Sequence, residues 1–352
     1  ILKMPTSPVP LNLKGAALLG KGDQLEAKNA FDAALGIQPD FLPAHFNLAQ
    51  LDLLNGNTEA AEERYQKVLS YDNNNLKALL AMGELAKHEG NGDKEEKWLK
   101  DAHEKHPDEI KPTLLLVEYY LRHAEVQQAL DLANKVAVAN PRNPIALKTQ
   151  VVARLRAGEY EKALGTMRTL LELDPDSPEF HLQMAMVQLK LEDINAAQDS
   201  LEMAIELRAE YPDAQVVLGK VYVSKKDYDA AYSIASILIE AHPDAAYGHE
   251  LKGDVYIAQK AFAQAAEAYL QAYKNVASAQ LAQKLYQARL QLGDDESAYH
   301  VLRQWLLEHP QDIHTRRLLA TSLHRAGQNQ QAIEEYLKVL EYDTDNVTVL
   351  NN

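Results

Sequence analysis

The sequence predicts an all-α fold, a solenoid of about ten antiparallel helix pairs. Ala, Leu, Glu, Gln and Lys dominate the composition, and these residue types favour helices over strands. Prolines that end apolar segments recur at regular intervals. From Pro39 to Pro243 each interval is either 34 or 68 residues, and from Pro243 to Pro310 it is 67 residues. Such a period is typical of stacked helical repeats, in which each unit buries its apolar face against its neighbours.

The period divides residues 8–346 into ten units when the proline is placed at position 32 of each unit. The units start at residues 8, 42, 76, 110, 144, 178, 212, 246, 279 and 313. The register slips by one residue only, between Lys274 and Ala279, so we expect one continuous array without a linker or a second domain. Residues 347–352 are expected to start a further helix that is cut off, which predicts that the chain is a fragment of a longer protein.

In most units, the first helix has a small residue at position 8. Glycine inside a helix costs about 0.5–1 kcal/mol relative to alanine, so its recurrence at one position requires a packing reason. We expect the second helix of the unit to approach the first closely at this position. The small residues are Gly15, Ala49, Gly83, Ala185, Gly219, Gly253 and Ala320.

A turn is predicted at position 15, between the two helices of a unit. Glycine recurs there, and glycine is the residue that most readily ends a helix in the left-handed conformation. The turn glycines are Gly22, Gly56, Gly90, Gly158, Gly293 and Gly327.

The second helix of each unit carries alanine at position 20 in nine of ten units, and the exception is Glu95. Position 24 is usually bulky, which predicts that its side chain fills the space left by the small residues. Proline at position 32 ends the second helix, because proline lacks the N–H that would continue the helix. The bulky residues are Phe31, Tyr65, Leu99, Met167, Leu201, Tyr269, Leu302 and Tyr336.

This pattern resembles the tetratricopeptide repeat family over nearly the whole chain, residues 8–346. The resemblance implies a superhelical solenoid whose first helices line a concave groove, mainly through positions 2, 5, 9, 12 and 13. Three residues depart from the pattern, namely Glu95, Tyr286 and Trp305, and we expect less regular stacking in units 3 and 9.

The groove positions predict a binding surface that is more basic than the chain as a whole, whose net charge is -15. Units 3 to 6 contribute mostly cations, and unit 8 contributes an acidic spot. The hypothesis is that the middle of the groove holds an anionic or acidic extended ligand, and the alternative is that these charges only form a solvated face. The candidate residues are Lys77, Lys111, Glu118, Arg122, Lys148, Arg156, Lys190, Tyr247, Glu250, Asp254, Arg317 and Arg325.

Catalytic, metal and cofactor signatures are not found in the sequence. The chain has no cysteine, which excludes disulfides, cysteine zinc sites and a thiol nucleophile. The HExxH motif, the P-loop and the dinucleotide fingerprint are missing. We therefore expect no enzyme activity, no metal and no cofactor. The acidic net charge argues against nucleic acid as a partner, and no apolar stretch is long enough for a transmembrane helix.

A narrower resemblance is carried by residues 111–122, 247–254, 304–310 and 349–352. These segments are similar to the repeat-rich lipoproteins of bacterial exopolysaccharide production and PEP-CTERM protein sorting (PrsT-like). The resemblance implies a protein-binding scaffold in the periplasm or at the outer membrane, although a cytoplasmic location stays open. Two other functions remain open, a regulatory or substrate-binding arm of a larger envelope enzyme and a module that binds polysaccharide directly.

Overall fold

The computed structural model describes residues 7–342, and these residues form twenty α-helices and no β-strand. The first helices of the units are α1 (Val9–Gly20), α3 (Leu42–Leu54), α5 (Leu76–His88), α7 (Ile110–Arg122), α9 (Pro144–Arg156), α11 (Pro178–Lys190), α13 (Pro212–Lys225), α15 (Ala246–Ala258), α17 (Ala279–Leu292) and α19 (Ile313–Arg325). The second helices are α2 (Gln24–Ile37), α4 (Thr58–Tyr71), α6 (Gly92–Lys105), α8 (Val126–Ala139), α10 (Tyr160–Leu173), α12 (Ile194–Leu207), α14 (Tyr228–Ala241), α16 (Phe262–Asn275), α18 (Asp295–Glu308) and α20 (Asn329–Tyr342).

The helix boundaries follow the predicted repeat. Nine first helices begin at the predicted unit start and α1 begins one residue after it, while every second helix begins at position 17 of its unit. Several starts are fixed locally, because proline is tolerated in the first turn and a polar side chain before it can accept backbone N–H bonds. At α9, for example, Asn143 accepts from the N–H groups of Ile145 and Ala146. The predicted all-α solenoid of antiparallel helix pairs is confirmed.

The turn at position 15 adopts the left-handed conformation in all ten units. The six predicted glycines have φ between 69° and 88°. The other four units reach φ of 60° to 62° at the same position with Ala124, Glu192, Lys226 and Lys260. The backbone of the repeat therefore dictates this conformation whether or not glycine is present.

Glycine at position 8 makes room for the bulky side chain at position 24. A Cβ atom on Gly15 would lie 2.5 Å from the Phe31 ring, and one on Gly253 would lie 2.4 Å from the Tyr269 ring. In unit 7, where position 24 is Ala235, the space beside Gly219 is filled by Leu251 of the next unit. The predicted packing reason for these glycines is confirmed.

The three departures from the pattern are buried, and each has a polar partner. Glu95 is bound by Arg122, the Tyr286 hydroxyl meets Ser322, and the Trp305 indole N–H donates to Asp312 at 2.7 Å. Arg122 and Ser322 belong to the following repeat unit, and Asp312 is the last residue of unit 9, directly before α19. The larger or charged side chains are therefore accommodated by contacts at the border with the next unit.

The chain divides into two compact units, Ile1–Leu173 and Asp174–Asn352. We call them the N-terminal and C-terminal halves. A single continuous array over residues 8–346 remains a prediction, and the truncated helix predicted for residues 347–352 lies outside the described residues. Within residues 7–342, no helix is both long and apolar enough to cross a membrane.

Candidate functional site

Positions 2, 5, 9, 12 and 13 of consecutive first helices lie on one shared surface. Lys87 Nζ of α5 (position 12) lies 3.1 Å from Glu118 Oε1 of α7 (position 9), and Gln280 Nε2 of α17 (position 2) donates to Glu250 Oε1 of α15 (position 5) at 3.3 Å. Side chains at these positions therefore meet across neighbouring units. We call this surface within each half the first-helix face.

The first-helix face of the N-terminal half carries cations that point to solvent. Lys77 lies over the Phe46 ring, with Nζ 4.2 Å from the centroid. Lys111 and Arg156 are exposed, and neither forms an ion pair with any described residue. Lys148 is exposed on α9 as well. These four predicted residues are placed where a ligand can reach them.

Arg122 differs from these cations, because its guanidinium is already engaged. Its Nη1 and Nη2 atoms bind both carboxylate oxygens of Glu95, at 3.1 and 2.7 Å. The hydrogen bond to Glu95 raises the pKa of Arg122 against the opposing effect of burial. The Glu95 side chain is only 5% exposed, so the arginine compensates a carboxylate inside the helix packing. Arg122 was predicted as a ligand contact, and the structure gives it an internal role.

Glu118 is also paired, and the cavity beside it is small. The cavity lies between α5, α6 and α7, and Glu84, Glu95, Glu118 and Arg122 form part of its lining. Its volume of about 10 Å³ is roughly that of one water molecule. This cavity is therefore too small to hold a ligand larger than water.

Exposed aliphatic side chains occupy the same face. Leu54 is 61% exposed at position 13 of unit 2, and Ile145 is 59% exposed at position 2 of unit 5. Val9, Leu53 and Val152 also lie at groove positions and are exposed. The sequence analysis named charged residues and Tyr247 at these positions and left out the aliphatic residues, although the same register identifies them.

In the C-terminal half, the predicted acidic spot is neutralised internally. Lys284 Nζ lies 2.8 Å from Glu250 Oε1 and 2.6 Å from Asp254 Oδ1. The Tyr269 hydroxyl donates to Asp254 at 2.7 Å. Burial lowers the pKa of Lys284, but Asp254 and Glu250 raise it by more, so the ammonium stays charged. Sequence reasoning missed Lys284, because position 6 is not among the groove positions of the family.

The remaining predicted residues do not converge on this cluster. Lys190 is exposed on α11 and forms no ion pair with a described residue. Tyr247 packs edge-on against His242, with the ring centroids 5.9 Å apart, and burial raises its pKa. Arg317 and Arg325 lie on α19, at the other end of the C-terminal half.

Within residues 7–342, no group of three or more His, Asp or Glu side chains is placed to hold a metal ion.

Family models match three parts of the chain. A model described as "Tetratricopeptide repeat" matches residues 18–83, and one described as "Tetratricopeptide repeat-like domain" matches residues 146–294. A third, described as "Bacterial transcriptional activator domain", matches residues 248–346. No curated protein matches the sequence significantly.

Solved structures share the fold at low sequence identity. A tetratricopeptide repeat protein from Parabacteroides merdae is 19% identical, with a TM-score of 0.57, covering 70% of this chain and 98% of its own. The type IV pilus biogenesis factor PilW is 16% identical, covering 57% and 93%, with a TM-score of 0.47. Yeast Tom70 is 11% identical, covering 98% and 94%, with a TM-score of 0.46. The two repeat models support tetratricopeptide repeats in the residues that they match, and the Parabacteroides protein shows the fold alone.

Proposed function

We propose that the chain is a non-catalytic scaffold that binds a partner protein on the first-helix face of its N-terminal half. The bound segment is extended and acidic and carries aliphatic side chains. The observation behind this proposal is the combination of exposed cations and exposed aliphatic side chains on one face of a strongly acidic chain.

The charge distribution supports an acidic partner. Carboxylates outnumber Lys and Arg by 51 to 36 in the whole chain, so an exposed cation has many possible internal partners. Lys87 and Arg122 have such partners in Glu118 and Glu95. Lys111 and Arg156, on neighbouring first helices, have none among the described residues. Exposed cations that lack an internal partner attract a complementary negative potential on a binding partner.

The aliphatic residues support a partner with apolar side chains between its acidic ones. Ile145 and Val152 lie on α9 with Arg156, so an apolar contact and a charge contact are available on one helix. Stacked helical repeats present long surfaces, which suit an extended segment better than a compact ligand. Burial of aliphatic surface contributes roughly 25 cal/mol per Å² to such a contact.

Peptide binding tests the proposal directly. Two fluorescent peptides are compared on the full chain, one alternating Glu and Leu and one alternating Lys and Leu. We expect only the acidic peptide to bind, and the double variant Lys111→Glu/Arg156→Glu to weaken binding at least tenfold, about 1.4 kcal/mol. The matched control is Lys135→Glu/Arg168→Glu, which reverses exposed charges on the second helices of the same two repeat units. Equal losses in both double variants, or equal binding of both peptides, would contradict the proposal.

We also propose an envelope context, namely assistance of exopolysaccharide production or PEP-CTERM protein sorting from the periplasm or the outer membrane. The support is the segment resemblance at residues 111–122, 247–254 and 304–310. Capture of partners from envelope extracts with the wild-type chain, compared with Lys111→Glu/Arg156→Glu, tests this context. Enrichment of export or sorting components only by the wild-type chain is expected, and their absence would argue against the context.

A further inference from the structure

The side chain at position 4 of the first helix closes the turn to the preceding unit in several repeats. His45 Nε2 donates to the Pro39 carbonyl at 2.8 Å, and His181 Nε2 donates to the Pro175 carbonyl at 2.9 Å. Arg316 makes the equivalent bond to Pro310 at 2.8 Å. This bond spans six residues in each case and fixes the start of the first helix against the turn before it.

His249 occupies the same position in unit 8 but does not make this bond. The Pro243 carbonyl accepts instead from Asn275 Nδ2 of α16 at 2.8 Å. His249 has no hydrogen-bond partner among the described residues, and its half-buried ring lines a cleft beside α15. The imidazole is therefore available for a contact that the fold itself does not supply.

The cleft lies between α15 and α16, next to α14, and has a volume of about 240 Å³. Lys252 is one of the residues that line the cleft. It is at position 7 of the first helix, where seven other units have Leu or Met. Those apolar residues are Leu48, Met82, Leu116, Met184, Leu218, Leu285 and Leu319. Lys252 therefore gives this cleft a positive charge at a position where most repeats have an apolar side chain. The full lining is His249, Lys252, Tyr256, Gln264, Glu267, Ala268 and Gln271.

Lys252 contacts two tyrosines and no carboxylate. Its Nζ lies 5.1 Å from the Tyr232 ring centroid, and the Tyr232 and Tyr256 rings are 6.1 Å apart. Its hydrogen bond lowers the pKa of Tyr232. No Asp or Glu of the described chain lies within ion-pair distance of Lys252. Burial, and then Lys252, lower the pKa of His249, so its imidazole is neutral at pH 7.

We propose that this cleft binds a carboxylate, with Lys252 supplying the charge and His249 supplying a hydrogen bond. An ammonium and an imidazole N–H both donate, and a carboxylate accepts from several donors at once. The α15 residues that line the cleft are at positions 4, 7 and 11, and none of these is a groove position. The proposal therefore does not depend on the function proposed for the first-helix face.

Glu267 restricts the ligand to a single negative charge. It lies on α16 in the cleft lining, and its Oε1 accepts from Gln271 Nε2 at 2.9 Å. A dianionic phosphate would be repelled by this carboxylate more strongly than a monoanion would. The ligand is therefore an Asp or Glu side chain or chain terminus of a protein, or a free small carboxylate, and both present the same chemistry.

Histidine NMR on the full chain tests the proposal. Acetate and a capped aspartyl peptide are each titrated into protein with isotope-labelled histidine. We expect saturable shifts of the His249 ring signals and a higher His249 pKa in the bound state, because the carboxylate favours the imidazolium. Affinity should therefore rise as the pH falls from 8 to 6. The His181 signals serve as an internal control, since that ring is held by Pro175.

The variant Lys252→Met separates binding from folding, because Met82 and Met184 show that the repeat accepts methionine at this position. We expect an unchanged circular dichroism spectrum and at least a tenfold loss of affinity. Tighter binding of the aspartyl peptide than of acetate would identify a protein source, and equal binding a small-molecule source. Non-saturating shifts, equal shifts in Lys252→Met, or tighter binding of inorganic phosphate would overturn the proposal.

Discussion

At the scale of single residues, Glu95 shows how a charged residue can replace the alanine that nine other units have at position 20. A carboxylate buried in helix packing is costly unless its charge and its oxygens are compensated. Both oxygens are bound by the planar guanidinium of Arg122, a geometry that lysine does not reproduce. The pair is required by the burial of Glu95, and the sequence alone did not connect the two residues because they lie in different repeat units.

Removing Arg122 should therefore cost more than removing a surface cation. We expect Arg122→Ala to lower the free energy of unfolding by about 3 kcal/mol, because the buried Glu95 carboxylate loses its partner. Glu95→Ala in the same background should restore most of the loss, since it recovers the alanine of the other repeats. Lys87→Ala, which breaks the exposed pair with Glu118, is the control and should cost less than about 1 kcal/mol. Urea denaturation measures all four proteins, and equal costs for the two cations would contradict this account.

The non-glycine residues at position 15 give a second prediction. Ala124 adopts φ of 60°, a conformation that is unfavourable for residues with a Cβ atom. We expect Ala124→Gly to stabilise the protein by about 0.5–1 kcal/mol. Ala17→Gly, at an exposed position inside α1, should destabilise it by a similar amount and is the matched control. Thermal unfolding distinguishes the two, and destabilisation by Ala124→Gly would show that the turn is not strained.

At the scale of the helices, the sequence was sufficient to predict the start of the first helix in nine units and the turn before each second helix. The period, the small residues at position 8 and the turn at position 15 are local features that repeat, so each unit confirms the others. The partners of charged side chains were not predictable in this way. Lys284 meets Glu250 and Asp254 because α15 and α17 stack side by side, and the position of a side chain within its own unit does not reveal that contact. The orientation of His249 likewise depends on Asn275 competing for one carbonyl.

The close contact between the two helices of a unit can be tested at unit 8. Gly253→Ala would place a Cβ 2.4 Å from the Tyr269 ring, so that ring must move, and its hydrogen bond to Asp254 must move with it. We expect a loss of about 1–3 kcal/mol from overpacking. Gly165→Ala, inside α10 where no atom lies within 4 Å of the new Cβ, should instead stabilise the protein by about 0.5–1 kcal/mol. A gain in stability for Gly253→Ala would contradict the packing role assigned to this glycine.

At the scale of the whole molecule, the net charge of -15 gives the exposed cations their significance. In a neutral chain, unpaired lysines and arginines would be ordinary surface residues. Here Lys111 and Arg156 form no ion pair with any of residues 7–342 despite the excess of carboxylates, while Lys284 and Arg122 are paired with carboxylates in the helix packing. The sequence predicted that the first helices would carry the cations, but only the contacts distinguish cations available to a partner from those that hold the fold together.

The chain divides after Leu173 into two compact units, and each unit contains several intact repeat pairs. The stability of a repeat array is approximately a sum of repeat and nearest-neighbour terms, so a piece with several intact repeat pairs retains most of its own terms. We therefore expect residues 1–173 and residues 174–352, expressed separately, each to give a helical circular dichroism spectrum and a cooperative thermal transition. The Glu/Leu peptide should bind only the fragment 1–173, since Lys111 and Arg156 lie there. A fragment that remains unfolded would instead favour the single continuous array, in which each half depends on the other.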